Sequence, residues 1–131
     1  MYARKILIVD KDPQARQQLA EFFKASNYQV ETTGSAAYLV AHIVQKNQPI
    51  ILLGSCFEEK ISVAEVVSLV SGCNKNLNII LVSDENSPEK LRKIREMGIF
   101  YHALKPQNNK DKEELRSVVE CAIGEWAIMP T

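Results

Sequence analysis

Four short polar clusters hold the residues of this chain that could do chemistry: Asp10-Lys11-Asp12, Gly54-Ser55-Cys56, Ser83-Asp84 and Lys105-Pro106. The Asp10 and Asp12 carboxylates are hard oxygen donors of the kind that Mg²⁺ takes one or two at a time. They are equally suited to capping the first amides of a helix. Lys105 carries an ammonium that can hold an anion. The hydroxyls of Ser55 and Ser83 are weak nucleophiles until a base removes the proton, and no histidine flanks Ser55 to do so. No Ser-His-Asp order and no metal-ligand spacing marks a hydrolase. Cys56, Cys73 and Cys121 form no CxxC pair and no Cys/His cluster, so they read as reduced thiols, not a disulfide framework or a zinc site.

Each cluster follows a short apolar run, and the stretches between have helical periodicity. Ile6–Val9 reads as a strand ending at Asp10. Asp12-Pro13 then starts a helix, with Asp as cap and Pro in the first turn. Ala15, Leu19, Phe22 and Phe23 share its inner face, and Asn27 stops it in a left-handed conformation. Tyr28–Thr32 reads as a polar, edge-side strand. Ser35 caps a helix with Ala36, Leu39, Val40 and Ile43 on one face. Ile50–Leu53 is continuously apolar, as a strand covered on both sides should be. Ser62 caps a helix over Val63–Val70, and Ile79–Val82 is a further buried strand. Ser87-Pro88 opens a helix with Leu91, Ile94 and Met97 inward, closed by Gly98. Phe100–Leu104 is a fifth strand, and Leu115, Val118, Val119, Ala122 and Ile123 line a last helix.

Five strands alternating with five helices predict an α/β fold: a (βα)5 doubly wound parallel sheet with helices on both faces. In such sheets the functional crevice lies beyond the carboxyl ends of the strands, which is where the four clusters fall. The 131 residues suit one domain, with a core over about 4–123 and a tail or start of a linker over 124–131 that holds Trp126, Ile128 and Met129. Hydrophobic residues at 46%, charged residues at 24% and a formal net charge of zero describe an ordinary soluble balance without a field that would draw nucleic acid. The N-terminus lacks a signal-peptide core and no apolar run is long enough to span a membrane, so a cytoplasmic location is expected.

The stretches KILIVDKDP, QPIILLGS, IILVS and ALKP, within residues 4–123, resemble the response-regulator receiver (CheY-like) family. The resemblance implies a flavodoxin-like five-stranded sheet of order 2-1-3-4-5. It also implies roles. Asp10 matches the first of two acids that bind a divalent metal, and Lys11 stands where the second usually is, beside Asp12. Phe57 would offer its backbone carbonyl to the metal. Ser83 matches the hydroxyl and Lys105 the lysine that contact phosphate. His102 takes the place of an aromatic switch residue. Ser55 occupies the position of the aspartate that accepts phosphate from a histidine kinase. Counting from Pro49 or from Asp10 leads to Ser55, and a one-residue slip selects Gly54, which cannot accept phosphate at all.

A carboxylate gives a labile acyl phosphate, whereas a serine would give a stable ester. The loss of two acids, with Lys11 in place of one, makes Mg²⁺ binding weak or absent: at ~4 Å and an effective dielectric of ~20, unit charges interact by about 4 kcal/mol, here with the sign reversed. Lys105 and Lys11 are instead expected to pair with Asp10 and Asp12. The expectation is a pseudo-receiver without catalysis or cofactor. It would act through a protein partner or an output domain, with homodimerisation through the helix 4–strand 5–helix 5 face as one form. Lys90, Arg92, Lys93 and Arg95 make helix 4 basic; Glu89 and Glu96 could neutralise it as a solvated face, or Lys90 and Lys93 could mark an interaction face. The alternative is a small-ligand or anion sensor using Ser55, Ser83 and Lys105. A flavodoxin-like cofactor carrier is weaker, because DKDPQAR lacks a Gly- or Ser/Thr-rich phosphate cradle.

Overall fold

The computed structural model describes residues 5–44, 50–73, 77–84 and 87–128. Pro49 and Met129 lie outside them. The element order is β1 (Lys5–Val9), α1 (Pro13–Ala25), β2 (Gln29–Thr33), α2 (Ala36–Val44), β3 (Ile50–Leu53), α3 (Val63–Cys73), β4 (Asn78–Val82), α4 (Pro88–Glu96), β5 (Tyr101–Ala103) and α5 (Asn109–Ile128). The strands form one sheet in the order β2-β1-β3-β4-β5, and every pair is parallel. The expected doubly wound architecture is therefore the observed one.

Side-chain alternation along the central strands makes two cores from one sheet. Ile6, Ile8, Leu52 and Ile80 face α1 and α5, where Leu19, Phe23, Leu115 and Val119 meet them. Leu7, Val9, Ile51, Leu53, Ile79 and Leu81 face the other way, onto Leu39, Val66, Val67, Val70 and Ile94 of α2, α3 and α4. The unbroken apolar runs of β1, β3 and β4 follow from this double burial. Each fully buried side chain of this kind contributes about 1.5–3 kcal/mol relative to exposure.

Local chemistry sets most boundaries. The Asp12 carboxylate accepts from Gln14 N at 3.0 Å and Pro13 fills the first position of α1. Asn27 ends that helix with φ of 71°, and Gly98 closes α4 with φ of 109°. The Ser62 hydroxyl accepts from Glu65 N and donates to Glu65 Oε1. Three readings shift. Met97 is the cap residue of α4 and 36% exposed, not inward, because the helix ends before another turn brings it under the sheet. β5 is shorter than Phe100–Leu104, and Leu104 is 67% exposed. The helix α5 runs on to Ile128, past the Ile123 taken as the end of the core.

Candidate functional site

The carboxyl ends of β1, β3, β4 and β5 form one rim, and register decides which residues meet there. Val9 pairs with Leu53 and Leu53 with Leu81. Carried one residue onward, Gly54 stands beside Asp10, whose side chain lies against it. Two bonds extend the ladders in register, Gly54 N donating to Val9 O at 2.7 Å and Asp10 N to Thr33 O at 3.0 Å, whereas Lys11 N donates to Cys56 O at 2.9 Å, two residues beyond the acceptor that the β1–β3 register would supply.

The Asp10 side chain is 8% exposed and lies flat on the sheet over Gly54. A methyl group on Gly54 would stand 2.5 Å from Asp10 Oδ2, so the glycine is what lets the carboxylate lie there. Asp10 Oδ1 accepts from Asp12 N at 3.0 Å, and Arg16 Nη1 donates to the Asp10 carbonyl at 2.9 Å. Ser55 and Lys11 are exposed, and the Ser55 hydroxyl has no hydrogen-bond partner among the described residues. Phe57 is buried in the core on the α2–α4 side.

Ser83 and His102 come together, although 19 residues separate them. Ser83 is buried, its Oγ lies 3.2 Å from His102 Nε2, and the same nitrogen lies 3.1 Å from the Ser83 carbonyl oxygen. A protonated Nε2 can donate to either oxygen. This links β4 to β5 at the rim and turns the half-buried imidazole inward. Asp84, just beyond, is exposed and accepts from Lys105 N at 3.3 Å, which joins the same two strands again.

The expected pairing of Lys105 and Lys11 with Asp10 and Asp12 does not form. Among the described residues the ion pairs are those of Arg116 with Glu113 and Glu120. Lys11 is a solvent-facing lysine, which gains little from an exposed pair. Asp12 is engaged as the α1 cap. Asp10, Asp12 and Lys105 do line a common cleft of about 300 Å³, together with Lys112, Gln18 and Gln107. Neither Ser55 nor Ser83 lines this cleft.

Sequence reasoning missed the tie behind Ser55. Glu59, on the loop after β3, caps α2 from outside. Its Oε1 accepts from Ala36 N at 2.7 Å, and its Oε2 accepts from Ala37 N at 3.0 Å and from the Ser35 hydroxyl at 2.8 Å. The Ser35 hydroxyl, then the Ala37 and Ala36 amides, hold its carboxyl down at about 2 from an ordinary 4.5. Glu58 N donates to Gly34 O at 2.8 Å alongside. Donor and acceptor lie more than twenty residues apart, so no local motif announces the cap.

The residues do not suit the Mg²⁺ that the fold implies. Near-octahedral Mg²⁺ sites use converging oxygen donors. Here Asp12 caps the helix, Lys11 and Ser55 stand at positions where the resemblance implies carboxylates, and no group of three acidic, histidine or cysteine side chains converges among the described residues.

A second surface lies at the β5 edge. Tyr101 at 50% and Leu104 at 67% exposure stand between two grooves. Tyr101 lines one with Arg95 and Ile99, and Tyr101 and Leu104 together line the other with Asp111, Glu114 and Val118. On α4 the side chains of Lys90, Arg92, Lys93 and Arg95 are all exposed. No ion pair to Glu89 or Glu96 forms among the described residues.

Solved structures share this fold. A CheY-like response regulator receiver domain protein from Methanospirillum hungatei JF-1 superposes with a TM-score of 0.80 at 20% identity, covering 95% of this chain and 99% of that one. Chemotaxis protein CheY4 of Vibrio cholerae gives 0.77 at 24% identity, covering 90% and 99%. A two-component response regulator from Clostridium difficile gives 0.81 at 18% identity, covering 93% and 97%. A comparison with curated proteins gives no match. No described helix is long and apolar enough to cross a membrane. The family model of the response regulator receiver domain matches residues 6–120, a span from the first strand to well inside the last helix. On that match the chain belongs to the response-regulator receiver family.

Proposed function

We propose that this receiver domain is a cytoplasmic signalling module that works without aspartyl phosphate and without catalysis of its own, through protein contacts. One observation carries the reading: the end of β3 offers Gly54 and an exposed Ser55 hydroxyl, and no carboxylate. A hydroxyl with no base beside it is a poor nucleophile toward phosphorus, and its ester would not turn over as an acyl phosphate does. Lys11, at the position where the family resemblance implies a second metal-binding acid, brings a positive charge next to Asp10 in place of a carboxylate. The ties of Glu59 to α2 and of Ser83 to His102 support a rim held in one state.

The contact surface is the α4–β5–α5 face. Exposed Tyr101 and Leu104 supply an apolar centre, the α4 cations one flank, and Asp111 and Glu114 of α5 the other. A two-fold arrangement would set the basic flank of one copy against the acidic flank of the next, which makes a second copy the first partner to test. An output domain could use the same face.

Incubation with acetyl phosphate and Mg²⁺, followed by intact-mass analysis, tests the reading. No mass gain is the expected result. An acid-labile phosphoryl adduct on the folded protein would overturn it.

A further inference from the structure

The cleft between α1 and the β5–α5 loop joins Asp10 and Lys105, the positions that the family resemblance gives to metal and phosphate, with Asp12 and Lys112, and this set of charges does not suit Mg²⁺. Its α1 wall presents the carboxylates of Asp10 and Asp12. Its opposite wall presents the half-buried side chains of Lys105 and Lys112. None of these four charges makes an ion pair among the described residues, so the two walls stand apart with opposite signs. The floor includes Leu19 and Val82, both buried and apolar.

Asp10 makes this more than a scatter of surface charge. It is 8% exposed, its Oδ1 receives one backbone amide, and Oδ2 has no hydrogen-bond partner among the described residues. That second oxygen is not sealed from solvent; it is open to the cleft that Asp10 lines and free to meet a cation there. Arg16 does not pair with it either, since its Nη1 donates to the Asp10 carbonyl. Because Gly54 has no side chain, Asp10 keeps this position, and no side chain from β3 fills the cleft floor.

A simple metal cation would face Lys105 and Lys112, and a simple anion would face Asp10 and Asp12. A molecule with one charge of each sign satisfies both walls, and an apolar floor suits a short aliphatic chain between them. Gln18 and Gln107 add neutral donors and acceptors at the mouth. The volume of about 300 Å³ is at the small end of ligand sites. We propose that this cleft binds a small amino carboxylate, its ammonium on Asp10 and its carboxylate on Lys105 and Lys112. Such a ligand would tie the β1–α1 turn to the loop that leads from β5 into α5, and so reach the contact face from behind.

Titration of the ¹⁵N-labelled protein with glycine, γ-aminobutyrate and ε-aminohexanoate tests it, with butyrate and n-butylammonium at matched ionic strength for comparison. At least one amino carboxylate should give saturable shifts at the amides of Ala15, Gln18 and Gln107, and bind at least about tenfold more tightly than either single-charge analogue. Asp10→Asn and Lys112→Gln should each weaken that binding about tenfold or more; if the first variant fails to fold, Lys112→Gln on the helix surface carries the test alone. Absence of saturation with all three amino carboxylates, equal binding of butyrate or butylammonium, or indifference to Lys112→Gln would overturn the proposal.

Discussion

Glu59 shows how one side chain can fasten two loops. Its carboxylate holds three donors at the start of α2, and those donors keep it ionised down to about pH 2. A carboxyl whose folded value is depressed adds stability at pH values above its unfolded value, and loses that contribution as pH falls through the folded one. Glu59→Gln should therefore lower the thermal midpoint at neutral pH. The gap between variant and parent should narrow as pH drops from about 4.5 toward about 2, read by circular dichroism melts across that range. A gap that does not change with pH would place the effect in shape, not charge. Gly54 is the complementary case, where absence of a side chain matters. Gly54→Ala should cost about 1–3 kcal/mol in urea denaturation, the range for overpacked sites, because Asp10 must give way. Of these residue-scale facts, the Asp12 cap and the left-handed Asn27 were legible in sequence, since each rests on neighbours along the chain. The Glu59 cap and the Ser83–His102 contact were not, because their partners meet only after the sheet is assembled.

At the scale of elements, periodicity located every strand and helix, and boundaries moved where a cap or an edge intervened. Double burial explains why β1, β3 and β4 read so plainly as apolar runs, while β2 and β5 did not. The order of strands is a different matter. Alternation predicts a parallel sheet, but the order came from the family resemblance. Met97 fell on the right helical phase and is nonetheless exposed, since phase says nothing about where a helix stops. Gly98, with φ of 109°, is the stop. Gly98→Ala should cost about 1–2 kcal/mol, the usual strain for an L-residue forced to positive φ, and should fray α4 first, which amide hydrogen exchange can resolve. Phe23→Ala, at the junction of α1 with the sheet, should cost about 3–5 kcal/mol and lower the whole transition together.

For the whole molecule, net neutrality conceals a division of sign across the β5 edge. Basic α4 and the acidic residues of α5 sit on opposite sides of Tyr101 and Leu104. If copies associate through this face, sedimentation should show a concentration-dependent dimer, weakened by Lys93→Glu and further weakened by added salt, because charges at a solvated rim are screened within about 8–10 Å. A monomer at every concentration, unaffected by the substitution, would direct attention to an output domain as the partner.

The two margins of the sheet bear on how any such partner can attach. β2 is polar and largely open to water, and β5 is only three residues long, so neither margin offers a long greasy backbone ladder to an incoming strand. Recognition is thus left to side chains projecting from helices, where a single charge reversal can redirect it. That makes pairing specificity cheap to rewire while the scaffold stays still, and it guards the domain against fibrous stacking.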